Sequence, residues 1–88
     1  MSEPDDEEFA QSTLTEAIEN QIRDGNPLEA RKTLERLLAT GQTRDDALQM
    51  MAAVLAYEVQ AILAEERAFN NEWYIKALQA LPNLPAEK

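Results

Sequence analysis

Eighty-eight residues with a net charge of −9, no Cys and no His make one small domain with a modest interior. Without Cys there is neither a disulfide nor a thiolate site, and without His there is no Ser–His nucleophile and no imidazole ligand. The acidic balance opposes binding to nucleic acid and to anionic membranes, and the N-terminus MSEPDDEEF lacks the basic-then-apolar layout of a signal segment, so a cytoplasmic chain is expected.

Residues 2–8 carry five acids and a Pro. Residues 1–11 therefore read as an acidic tail, either disordered or forming the first turns of a helix whose positive dipole end suits carboxylates. Thr13 and Glu16 have capping-box spacing, which predicts a helix from about Ser12 to Arg23. Its apolar stripe is Leu14, Ile18 and Ile22, with Phe9 added if the helix begins earlier. Gly25 ends it. Asn26 as N-cap, Pro27 at the first helical position and Glu29 predict a second helix to about Thr40, with Ala30, Leu28, Leu34, Leu37 and Leu38 as its core face. Arg31, Lys32 and Arg36 read as a solvated basic face.

Thr43 with Asp46 starts the third helix. It is the element on which the rest depends. From Ala47 to Ala64, fifteen of eighteen residues are apolar, Ala included. The wheel places Leu48, Met51, Leu55, Val59 and Ile62 on a main apolar face and Met50, Val54, Tyr57 and Ala61 on an adjoining one. Gln49, Ala53, Ala56, Gln60 and Ala64 lie outward. An apolar arc this wide needs more than one neighbour. After Glu65-Glu66-Arg67 comes a short turn in which an Asn caps a last helix, about Glu72 to Leu81. Its inner face is Trp73, Tyr74, Ala77, Leu78 and Leu81, and Pro82 stops it. The expected architecture is all-α: a small four-helix bundle or orthogonal array around a long third helix. The helical domain spans 12–82 and an extended tail 83–88.

Chemistry-bearing residues are few. Glu58 lies inside the apolar arc, so it either finds a partner or shifts its pKa; at a groove edge it would reach Arg31, Arg36 or Arg23, or simply solvent. Glu65 lies two turns further on the same edge. Asp45 and Asp46 suit a helix start. The two Gly are helix stops rather than a phosphate-cradling loop, so no cofactor is expected. Tyr57, Phe69, Trp73 and Tyr74 form an aromatic group that is either core or an interface.

Three pieces, Glu19-Asn20-Gln21-Ile22, Asn26-Pro27-Leu28-Glu29 and Leu37 to Gly41, lie in a run from Thr15 to Val59 that resembles a group of small, uncharacterised bacterial all-helical proteins. The resemblance covers about half the chain and implies an all-α fold. The family pattern carries His at i, i+4 on two helices, which suggests a metal site. The corresponding positions here are Gln11, Thr15, Asp45 and Gln49, so it implies no metal for this chain. Glu19 and Gln21 are polar features shared with the pattern.

Together these observations predict a non-enzymatic protein–protein interaction or assembly module that binds a protein partner or itself as a homodimer. The alternative is a metal or small-ligand binder using Glu58, Glu65 and Asp45. A third reading, from charge alone, is an acidic mimic of nucleic acid that engages a basic protein.

Overall fold

A computed structural model describes the backbone of residues 6–85 and the side chains of residues 12–85. Of the acidic tail expected at residues 1–11, residues 1–5 lie outside the described ones and the rest begins α1, while the packing of Phe9 and the last three residues of the C-terminal tail also lie outside the described residues. The fold is all-α, with α1 Asp6–Asp24, α2 Leu28–Ala39, α3 Arg44–Glu65 and α4 Asn71–Ala80. Both α2 and α3 pack against all three other helices, whereas α1 and α4 do not pack on each other.

Local signals set most helix ends. Thr43 accepts a hydrogen bond from the Asp46 N–H at 3.1 Å, and Asn70 accepts one from the Trp73 N–H at 3.0 Å, so both expected caps are present. Two expected starts move. Because α1 begins at Asp6, Thr13 sits inside the helix and does not cap it. Asn26 does not cap α2 either. Its N–H donates to the Gln21 carbonyl and that of Gly25 to the Ile22 carbonyl, which closes α1 in a Schellman turn. Asn26 thus belongs to the end of α1, and Pro27 takes the N-cap position without a side-chain bond. Gly25 meets two demands. Its φ is +64°, and a Cβ there would come within 3.3 Å of the Arg31 guanidinium.

Gly41, at φ +98°, closes α2 in the same way, but the third turn of this kind has no glycine. Glu66 ends α3 at φ 51°, ψ 48°, the one non-Gly residue with positive φ among those described. A left-handed conformation disfavours a Cβ. We expect Glu66→Gly to raise the unfolding free energy by about 0.5–1 kcal/mol, partly offset by greater freedom of the unfolded chain. Urea unfolding checks this, and an unchanged or lower midpoint would contradict it.

The core follows from helical spacing. Ile18 of α1 is fully buried, with Leu14, Ala17 and Ile22 packed beside it. On α2 the buried stripe is Ala30, Thr33, Leu34 and Leu37. Leu28 and Leu38, expected in that face, are 48% and 41% exposed. At 100° per residue Leu28 lies about 160° from Ala30, and Leu38 lies on the flank of the stripe. From α4 come Tyr74, Ala77 and Leu78, followed by Leu81.

The central helix is buried along only part of its length. Ala47, Leu48, Met51, Ala52, Val54, Leu55 and Glu58 are buried, and beyond Glu58 no residue of α3 is. Val59, expected in the main face, is 38% exposed, and Ile62 is only half-buried. With 22 residues α3 runs about 33 Å, whereas α2 and α4, with 12 and 10, run about 18 and 15 Å and do not span it; α1, with 19, runs about 28 Å, and its side chains before Ser12 lie outside the described ones. The expected main face Leu48, Met51, Leu55, Val59 and Ile62 is buried only as far as Leu55. By length and composition α3 also meets the criterion for crossing a membrane, as the core helix of a soluble protein can.

Candidate functional site

Glu58 is the one buried carboxylate among the described residues, with 1% of its surface exposed. Its partner is none of the three expected arginines. Because Glu66 turns the chain back, Arg67 reaches Glu58 through two bonds, Nη1–Oε2 at 2.8 Å and Nη2–Oε1 at 2.9 Å. The Asn70 N–H donates to Oε2 at 2.6 Å. The Arg67 hydrogen bonds hold the Glu58 carboxyl below the usual glutamate range against the opposing effect of burial, and the Asn70 N–H assists. Glu65 lies 3.8 Å from Arg67 Nε, so the two carboxylates two turns apart flank a guanidinium. This corner sets the direction of α4. Both Glu58 oxygens are engaged inside the protein, and no group of three carboxylates among the described residues is placed to hold a metal ion.

The other arginines expected on a solvated face also have internal roles. Arg31 Nε and Nη2 donate to the carbonyls of Ile22 and Arg23 at 3.1 and 2.9 Å, capping the end of α1. Arg36 Nη2 donates to the carbonyls of Leu78 and Gln79 at 3.0 and 3.2 Å and Nη1 donates to Leu81, capping α4. Arg23 pairs with its neighbour Asp24 at 3.0 Å. Cations complement the carbonyl end of a helix dipole, here from the next helix rather than the same one.

Glu19, a candidate buried polar group, is 41% exposed and pairs with Arg44 at 2.6 and 3.0 Å. The Arg44 hydrogen bonds lower its carboxyl from the ordinary value. The pair stands at a surface cleft of about 520 Å³ between α1 and α3, lined by Ser12, Thr15, Glu16, Glu19, Asp45, Leu48 and Gln49. Of the four positions that the resemblance sets against a His pattern, Thr15, Asp45 and Gln49 line this cleft. The fourth, Gln11, lies outside the described side chains. No described buried side-chain polar atom lacks a hydrogen-bond partner, so no orphaned donor or acceptor is aimed into this cleft.

The aromatic group separates. Tyr74 is wholly buried, so it is core rather than interface. Its OH donates to Gln21 Oε1 at 2.8 Å and joins α4 to α1, which do not otherwise pack together. Burial pushes the phenol up to about 12, so it remains a neutral donor across the physiological range. Gln21 is therefore a tie between helices. Phe69, 44% exposed, meets Tyr74 edge-on at 5.2 Å. Trp73 is half-buried against the core, and Tyr57 is half-buried.

The surface with the strongest claim is the open end of α3. Leu63 is 74% exposed, the highest value among the large apolar side chains described. The face assignment from the wheel leaves it out. Spacing would have found it: Ala52, Ala56, Val59 and Leu63 follow a 4-3-4 pattern, the seam by which one helix receives another. Ala52 is buried, Ala56 half-buried, Val59 and Leu63 exposed. The seam thus starts under the bundle and runs out beyond it. Comparison with protein-family models, with curated proteins and with solved structures gives no match for this chain.

Proposed function

We propose that the protein is a non-enzymatic interaction module whose contact face is the uncovered seam Ala56–Val59–Leu63 of α3. One observation carries the reading: an apolar helical stripe continues out of the core into solvent at Leu63, 74% exposed. Scattered exposed apolar residues are ordinary, but a helical stripe that runs out of its own core is the arrangement by which helices dock. The absence of His and Cys removes the commonest nucleophile–base pairs, which supports a non-enzymatic reading.

The test is photocrosslinking in the native cell from a reactive residue at position 63, with position 79, an exposed polar site on α4, as control. The reading predicts discrete protein adducts from 63 and none from 79. No adduct from 63, or equal adducts from both, contradicts it. An adduct with a second copy identifies self-association, and one with another protein identifies a separate partner.

A further inference from the structure

The surface that the proposed function assigns to docking also constrains what docks. Glu66 ends the helix on the Leu63 flank, whereas Glu65 lies about 160° round the helix with Arg67, which is held by Glu58 and Glu65 and offers the seam no free base. The chain as a whole carries −9. A second copy has little cationic charge to offer this flank. Among the described residues Arg23, Arg44, Arg67 and Lys76 are paired with carboxylates, and Arg31 and Arg36 cap helix ends, which leaves Lys32.

Area argues the same way. Val59, Ile62 and Leu63 expose a few hundred Å² at most, whereas a standard interface buries about 800 Å² on each partner. A seam this short and narrow fits one helix laid along it, with added attraction from charge at its edges.

We propose that the seam seats an amphipathic helix of a different protein, with Lys or Arg flanking its apolar stripe. This rests on the reading of α3 as the contact face, and adds the chemistry of the occupant. The apolar stripe of the incoming helix covers Val59 and Leu63, and its basic flank lies against Glu66 in the field of a chain that carries −9. The seam then continues from the core of one protein onto a helix of the other.

The experiment uses the full chain with methyl-labelled Ile, Leu and Val, and two synthetic helical peptides. The peptides share one leucine stripe and differ only in their flanks, lysine in one and glutamate in the other. We expect the lysine peptide to bind roughly tenfold or more tightly than the glutamate peptide at physiological salt, with methyl shifts confined to Val59, Ile62, Leu63 and their neighbours. Leu63→Ser, at a site exposed enough to leave the fold intact, weakens that binding roughly tenfold without altering charge. Equal binding of both peptides at the seam overturns the basic partner and leaves the contact face standing. Lysine-peptide binding that ignores Leu63→Ser is adhesion to an acidic surface and overturns the proposal. So does failure of both peptides to bind, whether or not light scattering reveals a Leu63-dependent dimer in which a second copy is the occupant.

Discussion

Replacing Arg67 by Ala lowers the unfolding free energy by about 3 kcal/mol, the low end of the range for a buried ion pair that loses one partner. The low end applies because Arg67 is 30% exposed while Glu58 is 1% exposed, so water recovers part of the loss. The cost is the desolvated Glu58 carboxylate left with only the Asn70 N–H. Arg44→Ala, which breaks the exposed pair with Glu19, costs no more than about 1 kcal/mol. Urea unfolding of the two variants beside the parent measures the contrast, and equal losses would contradict the buried corner.

Acid provides an independent check. In the parent, Glu58 titrates below the ordinary glutamate value of about 4.3. Its contribution is therefore present above the unfolded value and is lost as pH falls through the folded one. In Arg67→Ala the main cause of the depression is gone and burial still opposes charge. The gap between parent and variant is thus widest near neutral pH and narrows as pH falls below the ordinary glutamate value. A gap that stays constant or widens in acid would show that Arg67 acts by packing, not through the Glu58 charge.

The second large effect compares one substitution at two sites on α3. Leu55→Ala removes a side chain that is 8% exposed and costs about 3 kcal/mol, from lost burial and the cavity left behind. Leu63→Ala, two turns further on at a residue 74% exposed, changes stability by less than about 0.5 kcal/mol. Helix propensity is nearly the same for the two positions, so the difference reports coverage alone. Comparable losses at both sites would mean that the end of α3 is covered in solution.

Much of this fold was legible because its signals are local. Thr43, Asn70, Gly25, Gly41 and Pro82 each act within a turn of their own position, and the stripes Leu14–Ile18 and Leu34–Leu37 follow from 3.6 residues per turn. What was not legible depends on where separate elements end in space. Arg36 lies 42 residues from the Leu78 carbonyl it caps, and nothing in the sequence near either residue states that α4 ends beside α2. Arg67 pairs with Glu58 only because Glu66 adopts a left-handed turn that its residue type disfavours. Asn26 has the composition of an N-cap, but its N–H is taken by the Schellman turn that closes α1.

The candidate surface failed to show itself for a related reason. A wheel projects α3 onto a circle and discards position along the axis. Leu48 and Val59 share a side in that projection, yet one is 5% and the other 38% exposed, because their difference is axial. Comparing α3 with the lengths of α2 and α4 restores that dimension and shows that neither of these two spans it.

The central claim is that α3 is core as far as Glu58 and open beyond it. Amide hydrogen exchange along this helix, on dilute monomer, tests it most directly. The account predicts that amides from Met51 to Glu58 exchange only through global unfolding, while those from Ile62 to Glu65 exchange far faster through local opening. Uniform protection through Glu65, or fast exchange along the whole helix, would contradict it.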